Sequence, residues 1–347
     1  MKRLVTLWIS VALVVIGGGQ LHAQLVGSTA KPGEFKKVGG AGAQFLKIGI
    51  GAREVGMGGA ASTVSSGLSA VHWNPAGLAD IEGISGMFAT TRWIGDYTHN
   101  FIGVALPVAE GYAAEISVIH FSSGMIPVTT VVEDKGSGAF YEVSDLAVNA
   151  TVAGYLSENF SFGITMKYIS QAIGGMKASG IAFDVGTLYQ LHKFNDLRFA
   201  FAVSNLGPEL QYQGGELLIT ADLVPGLKHR PVDAMMVTNP YSLPLYVRSG
   251  ISLDALHGVE DHSLRVAGEF ITFSDTPEQF LVGAEYSWKD LVFLRGGYRF
   301  GHDQFGLAAG LGIKYDGGDM QGAIDYAFAQ TKYLGLVHWI SVRVNTF

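Results

Sequence analysis

Short stretches in which apolar and polar residues alternate recur from about residue 84 to the end of the chain. In segment 305–315, FGLAAGLGIKY, one side carries Phe, Leu, Ala, Leu, Ile and Tyr, and the other carries Gly, Ala and Lys. Segments 263–271 and 279–289 are divided in the same way, and helical spacing is nearly absent. A period of two is typical of β-strands with one apolar face. The pattern therefore predicts an all-β fold.

The predicted strands are long for a soluble protein. Strands of soluble sandwiches usually have about five or six residues, whereas these approach the roughly ten residues with which a tilted strand crosses a bilayer. Aromatic residues also cluster near the strand ends, where a membrane interface would lie. The predicted strands number about fourteen and cover residues 84–92, 99–108, 111–121, 145–155, 160–172, 179–191, 197–205, 245–254, 262–273, 279–289, 290–300, 304–315, 320–329 and 337–347.

Membrane burial requires these strands to close on themselves. An open sheet edge in hydrocarbon would leave backbone groups unpaired, at a cost of several kcal/mol each. The sequence thus predicts a transmembrane antiparallel β-barrel over residues 84–347. Long connections of such barrels lie outside the cell and short turns face the periplasm. Both of the longest predicted connections, 122–144 and 206–244, fall on the external side in this count.

Composition agrees with a membrane barrel. The chain is 48% hydrophobic and 15% charged, with a mean hydropathy of +0.27, whereas charged residues usually make up about 25% of a soluble domain. Beyond the N-terminus no stretch approaches the roughly 18 consecutive apolar residues of a spanning helix. The absence of cysteine excludes disulfides, thiolate metal sites and a cysteine nucleophile.

The first 23 residues have the pattern of a secretory signal peptide. Lys2 and Arg3 precede an apolar run over residues 4–16, and the small residue Ala23 follows a Gly-rich stretch. We therefore expect residues 1–23 to be cleaved and the mature chain to reach the outer membrane of a Gram-negative type of cell. The net charge of -7 argues against a nucleic-acid partner, since binding phosphates requires a basic patch.

Residues 24–83 are predicted to form a hatch. The segment is rich in Gly, Ala and Ser, and the lumen of a fourteen-stranded barrel is too wide for side chains alone to fill. We expect this segment to enter the barrel from the periplasmic side and close it. Its motif is Asn74, Pro75, Ala76 and Gly77: Asn74 suits a helix N-cap, Pro75 the first helical position, and Gly77 would limit the turn. The alternative is that the motif only caps a short helix.

Three stretches resemble a known family. Residues 41–79, AGAQFLKIGIGAREVGMGGAASTVSSGLSAVHWNPAGLA, resemble the N-terminal signature of the PorV/PorQ outer-membrane proteins and, more distantly, the NPA-containing hatch of the FadL fatty-acid transporters. Residues 203–208, VSNLGP, and 294–301, LRGGYRFG, resemble strand phrases of the first family. The resemblance implies a FadL-like fourteen-stranded barrel with a hatch. It also implies a role in type IX secretion, where PorV-type proteins bind the C-terminal signal domains of cargo and shuttle them to a surface attachment complex.

Catalytic chemistry is not indicated. The ten histidines are scattered without metal-ligand spacing such as HExxH, and no nucleophile stands near a positioned base. We therefore expect no enzyme activity, no metal site and no cofactor.

Two functions follow as hypotheses. The first is a binding and shuttle or assembly role in type IX secretion, in which the external loops hold secretion-system proteins or secreted cargo while lipid surrounds the barrel. The second is a FadL-like channel for hydrophobic small molecules, opened by the hatch around Asn74 and Pro75. Apolar loop residues suggest partner contacts, although the loops could instead pack on each other as a lid. The candidate contact residues are Met125, Ile126, Val131, Phe140 and Tyr141 in the first loop, and Leu217, Leu218, Ile219 and Leu223 in the second.

Overall fold

The structure is a computed structural model and describes residues 39–221 and 232–346. The predicted signal peptide, residues 1–23, and the start of the predicted hatch lie outside the described residues. Seventeen strands occur within the described ranges. They are β1 (Ile84–Arg92), β2 (Thr98–Ala109), β3 (Tyr112–Pro127), β4 (Phe140–Ser157), β5 (Phe160–Ile173), β6 (Met176–Leu191), β7 (Leu197–Leu206), β8 (Gln213–Gly214), β9 (Leu218–Ala221), β10 (Val232–Met235), β11 (Tyr246–Asp254), β12 (His262–Phe273), β13 (Gln279–Trp288), β14 (Val292–Phe300), β15 (Phe305–Asp316), β16 (Met320–Thr331) and β17 (Leu336–Thr346).

Fourteen of these described strands, β1–β7 and β11–β17, form a closed antiparallel barrel. The last strand pairs with the first, from Ile84 opposite Thr346 to Arg92 opposite His338. Strand β7 pairs with β11 across the longest connection, in which β8, β9 and β10 lie. The predicted barrel of about fourteen strands is therefore confirmed, and the three short strands are additions that the alternation did not predict.

The two faces of the wall differ as the alternation predicts. On β15, Leu307, Leu311 and Ile313 are 50%, 50% and 57% exposed, whereas Ala308 is 3% exposed and points inward. A continuous belt of exposed aliphatic and aromatic residues would be unfavourable in water and suits contact with lipid. The chain is thus a transmembrane β-barrel, of the kind that resides in outer membranes.

Residues 41–83, called the plug from here on, precede the barrel and contain only short helices. Two are α-helices, α1 (Ala52–Gly56) and α2 (Ala70–Trp73). Three are 3-10 helices, Gln44–Lys47, Gly67–Ser69 and Pro75–Asp80. Within residues 39–221 and 232–346, no helix has the length and apolar character that a membrane span requires.

The plug fills the lumen, and its contact with the wall is the hydrophobic core. Phe45, Leu46 and Leu78 are buried against inward-facing residues such as Phe101 and Ile169. This confirms the expected segment inside the barrel. Its described start lies at the external mouth, where Gly42 N donates to Ser242 O over 3.0 Å. Its end lies at the periplasmic side, where Tyr155 Oη donates to Asp80.

The first long external connection is shorter than predicted. Instead of a loop over 122–144, β3 and β4 continue outward as a ladder, in which Met125 pairs with Glu142, Ile126 with Tyr141 and Pro127 with Phe140. The loop proper covers 128–139. Met125, Ile126, Phe140 and Tyr141 therefore belong to strands, which corrects their placement in a loop. The alternation of apolar and polar residues does not predict this extension. The extended part of the two strands projects beyond the lipid, and the register shifts between Ser122 and Met125.

Candidate functional site

The first half of the plug is attached to strands β11–β17 by polar contacts. Arg53 on α1 binds Glu285 of β13 in a bidentate pair, with N···O distances of 2.8 Å and 2.8 Å. The backbone N–H groups of Ala61 and Ser62 donate to the Glu269 carboxylate over 3.0 Å and 2.8 Å. Because the two carboxylates are buried, each fixes the plug backbone in one position relative to the wall.

Arg53 is one end of a chain of alternating charges. Glu285 also accepts from Arg295 over 2.6 Å, and Arg295 pairs with Asp325 over 2.6 Å. Arg343 lies 3.5 Å from the second oxygen of Asp325. Glu285 and Arg295 stand opposite each other on β13 and β14. Removing one partner from such a buried network costs roughly 3–5 kcal/mol, because it leaves an uncompensated charge.

The second half of the plug is attached to β4–β6 through the predicted Asn-Pro-Ala-Gly motif. The buried Asn74 amide donates to Ser62 O over 3.1 Å and to Thr187 O over 3.0 Å. Its carbonyl oxygen accepts from Ala76 N over 3.1 Å. Asn74 thus caps the following helix, as predicted, and also ties it to β6 and to the rest of the plug.

Glycines in the wall make room for this motif. Gly163 and Gly186 are paired across β5 and β6, and a side chain at Gly186 would lie 2.8 Å from Pro75 Cδ. The helix that begins at Pro75 is a 3-10 helix that continues to Asp80, so the prediction that Gly77 limits the turn was wrong. Gly77 instead allows a close approach, because a Cβ there would lie 2.8 Å from the Ala70 Cβ.

A cavity of about 640 Å³ lies between the plug and the external mouth. This volume is in the usual range for small-molecule sites. Plug residues form its floor, and the external loops and strands β3–β5 and β14–β17 form its sides. We call it the external cavity. Its apolar lining includes Phe45, Ile48, Val55, Trp93, Phe121, Phe305 and Trp339.

Aromatic side chains dominate this lining and contact each other. The Trp93 ring lies 5.4 Å from Phe305 and 6.1 Å from Trp339, and Phe45 stacks on Phe121 at 6.5 Å between centroids. Such edge and offset contacts hold the rings in defined orientations. The external cavity is therefore a largely preformed apolar site, suited to hydrocarbon or aromatic surface.

One cation in the external cavity has no carboxylate partner among the described residues. Arg299, on the inner face of β14, makes a long hydrogen bond of 3.5 Å from Nη2 to Gly58 O and lies 5.9 Å from the Phe305 ring. By contrast, Lys47 at the rim is neutralised by Asp275, 3.0 Å away. A partly buried guanidinium that faces an apolar space favours an anionic or strongly hydrogen-bond-accepting group beside it.

His302 adds a neutral hydrogen-bonding group. Burial, with smaller contributions from the Arg299 and Lys47 charges, lowers the pKa of His302 to about 3. Its Nδ1 accepts the backbone N–H groups of Gln304 and Phe305, each over 3.0 Å. The proton of the neutral ring therefore belongs on Nε2, which makes His302 a donor at the wall of the external cavity.

The described parts of the long connection 207–245 cover part of the mouth. Leu210 and Tyr241 exchange backbone hydrogen bonds of 2.9 Å and 2.8 Å, which folds the connection back on itself. The Tyr241 hydroxyl then donates to Gln171 on the inner face of β5 over 2.8 Å. This part of the loop packs as a lid, the alternative to partner contact that the sequence left open.

The remaining predicted partner-contact residues fall into three groups. Val131, Leu218 and Ile219 are 102%, 62% and 40% exposed, so they are available for contact. Leu217 is buried at 6%, which corrects its prediction as an exposed contact: it lies in a 3-10 turn whose chain continues into the β9–β10 hairpin. Leu223 lies outside the described residues.

Sequence reasoning did not find the external cavity. Its aromatic residues come from the plug, from the turn after β1 and from strands far apart in sequence, and no motif links them. A usable signal was present on β14, where Arg295 and Arg299 occupy inward positions of the phrase LRGGYRFG. Gly297, which lies between the two arginines, leaves room for the plug backbone to approach at Met57 and Gly58.

Comparisons with known proteins concern the fold. No family model matches the sequence, and no curated protein matches it. The structure is similar to the CymD monoaromatic hydrocarbon channel, with a TM-score of 0.58 and 14% identity over 86% of this chain and 98% of that chain. It is also similar to the Ralstonia pickettii toluene transporter TbuX, with a TM-score of 0.55 and 14% identity over 86% and 98% of the two chains. For the P. putida toluene transporter TodX, the TM-score is 0.56 and the identity 12%, over 86% and 99% of the two chains.

These three solved structures are described as channels or transporters and not as enzymes. At such identities the similarity shows the fold alone. The resemblance to PorV and PorQ proteins stays a prediction from the sequence. The chain has the barrel fold of hydrocarbon channels and toluene transporters.

Proposed function

We propose that this protein is an outer-membrane channel for hydrophobic small molecules, which bind in the external cavity before they pass the plug. The observation that carries the proposal is the preformed aromatic lining of that cavity. A ligand that buries about 200 Å² of apolar surface there gains roughly 5 kcal/mol. This gain is enough to concentrate a sparingly soluble compound at the mouth of the barrel.

The polar residues narrow the ligand class. Arg299 is a cation without a carboxylate partner among the described residues, and His302 offers a neutral donor. A hydrogen bond to a charged group contributes roughly 1.5–3 kcal/mol. An amphiphile with an apolar body and an anionic head therefore fits the external cavity better than a neutral hydrocarbon. The similarity in fold to a monoaromatic hydrocarbon channel and to toluene transporters supports the apolar part of this proposal.

Ligand binding and uptake test the proposal. In detergent, dodecanoate is expected to change the fluorescence of Trp93 and Trp339, and vesicles containing the protein should take up dodecanoate faster than empty vesicles. Phe121→Ala enlarges the external cavity and should weaken binding. The matched control is Phe88→Ala, because Phe88 is 48% exposed on the outer face of β1. Equal uptake by protein-containing and empty vesicles, for both dodecanoate and toluene, would contradict the channel.

A role in protein secretion is a second candidate, favoured by one observation. Val131 and Val132 at the tip of the β3–β4 hairpin are 102% and 91% exposed, and Leu218 on the connection 207–245 is 62% exposed. Exposed apolar tips at an external surface are suited to contacts with another protein. Replacing Val131, Val132 and Leu218 by serine should abolish co-purification of secreted proteins from solubilised membranes. Unchanged co-purification would remove this candidate.

A further inference from the structure

A second, polar space lies on the periplasmic side of the plug. It consists of two adjoining pockets of about 280 Å³ and 180 Å³, which share Ser66, Gln321, Arg343 and Asn345 in their lining. We call it the periplasmic vestibule. Its charged residues include Arg53, Arg295, Lys314 and Asp325. The lumen thus holds an aromatic space above the plug and a charged space below it.

Strands β14, β16 and β17 line both spaces with the same inner face. On β14, Arg299 faces the external cavity and Arg295 the vestibule. On β17, the corresponding residues are Trp339 and Arg343. Each pair is four residues apart, or about 13 Å along a strand. The two spaces are therefore separated by a short stretch of wall rather than by the length of the barrel.

One plug segment covers this stretch of wall. Gly56 lies over Gly310, where an added Cβ would come within 3.3 Å of the Gly56 Cα. Ala52 N donates to Ser341 Oγ of β17 over 3.1 Å. Gly297, midway between Arg295 and Arg299, is covered by Met57 and Gly58: a Cβ added at Gly58 would lie 2.8 Å from Tyr298 N and 3.0 Å from the Gly297 carbonyl carbon.

Residues 52–58, called the gate segment from here on, take part in both linings. Val55 and Gly58 line the external cavity, and Arg53 lines the vestibule. The partition is therefore one short helix thick. Gly51 and Gly58 have φ angles of 87° and 69°, a region that residues with a side chain rarely adopt. Such positions can absorb a change of backbone direction at both ends of the segment.

We propose that the gate segment closes a path along the inner face of β14–β17, and that its displacement joins the external cavity to the periplasmic vestibule. Arg299, which has no carboxylate partner among the described residues, then lies at the external end of this path. This inference rests on the proposed channel function and specifies its route and its moving part. The second half of the plug stays in place, because Asn74 and Pro75 hold it against β5 and β6.

The closed state is held by the Arg53–Glu285 pair. When the gate segment moves, Glu285 keeps its pair with Arg295, 2.6 Å away. Arg53 enters the polar vestibule that it already lines, where water can solvate it. Arg53 therefore exchanges its ion pair for hydration and does not enter an apolar space. This makes the free-energy cost of opening lower than that of breaking a fully buried ion pair.

A disulfide across the gate tests the route. The chain has no cysteine, so Gly56→Cys with Gly310→Cys introduces a unique pair. A Cβ on Gly56 would lie 3.2 Å from the Gly310 Cα, so the two backbones are adjacent, and the bridge forms once they part to the roughly 4.4–6.8 Å between Cα atoms that a disulfide spans. We expect the oxidised double variant to bind dodecanoate as the wild type does, but to take it up no faster than empty vesicles. Reduction should restore uptake. The controls are the two single variants.

Two outcomes separate this inference from the proposed function. Uptake at the wild-type rate by the oxidised variant would overturn the route and leave the channel intact. Absence of both binding and uptake in the wild type would overturn the channel itself. Arg53→Gln provides a test that requires no disulfide. Uptake of dodecanoate should rise at least about threefold, which corresponds to roughly 0.65 kcal/mol of lost stability of the closed state. Binding of dodecanoate should not change. Unchanged or slower uptake would contradict the gate.

Discussion

At the scale of single residues, polar groups inside the barrel divide into those that hold the plug and those left for a ligand. Arg53, Glu285 and Arg295 satisfy one another. Arg299 has no carboxylate partner among the described residues, and its contacts there are a 3.5 Å hydrogen bond to Gly58 O and the Phe305 ring. Burying a charge without a partner is costly, so its presence in the external cavity points to binding rather than to stability.

Arg299→Met tests this role. The substitution keeps the apolar stem and removes the charge, so dodecanoate should bind at least about tenfold more weakly, since tenfold corresponds to about 1.4 kcal/mol. Toluene, which has no charge, should bind as before. Lys314→Met is the control, because Lys314 lines the vestibule and not the external cavity. Binding titrations by tryptophan fluorescence distinguish these results, and equal weakening for both ligands would contradict a role for the charge.

His302 makes stability depend on pH in a defined direction. Its folded pKa of about 3 lies below the ordinary value of 6.5. As the pH falls, the unfolded chain therefore binds the proton before the folded chain does. The free energy of unfolding that neutral His302 contributes is complete above pH 6.5. It falls toward pH 3 by at most about 1.4 kcal/mol per pH unit. His302→Asn, which removes the titration, should reduce this loss. Urea unfolding in detergent at pH 7 and pH 4.5 measures it; identical pH dependence in both proteins would contradict the assignment.

At the scale of elements, strands were predictable and the plug was only partly so. Wall strands face lipid on one side and the plug on the other, so their sequences alternate, and the predicted bounds of β15 and β17 differ from the observed ones by at most about one residue. The plug is surrounded by the barrel wall and has no such period. Only Asn74 and Pro75 marked a helix start there, and the end of that helix was misplaced because Gly77 serves packing rather than termination.

Asn74→Ala is expected to loosen the second half of the plug. The substitution removes three hydrogen bonds and leaves Ser62 O, Thr187 O and Ala76 N without their partner. Each unsatisfied buried group costs roughly 1–3 kcal/mol. Amide hydrogen exchange over residues 61–80 should become faster while exchange in the barrel strands stays the same. The control is Asn100→Ala, which removes a hydrogen bond to Thr90 on β1. Unchanged exchange over 61–80 would contradict the anchoring role.

At the scale of the whole molecule, the barrel follows from the sequence and the cavities do not. Closure is required by the backbone in lipid, and a wide lumen requires a filling segment. The external cavity depends on how far below the rim of the mouth the main part of the plug lies. That distance is set by contacts such as Gln44 with Asp275, which join residues more than two hundred positions apart in the chain and leave no local pattern.

The most direct test of the account is a crystal structure of the protein with bromine-labelled dodecanoate, in which anomalous scattering locates the tail. We expect one strong bromine peak in the external cavity among Phe45, Phe121 and Trp339, with the carboxylate at Arg299. Bromine peaks confined to the lipid-facing surface, with the external cavity empty at saturating ligand, would contradict the central claim that this cavity is the binding site.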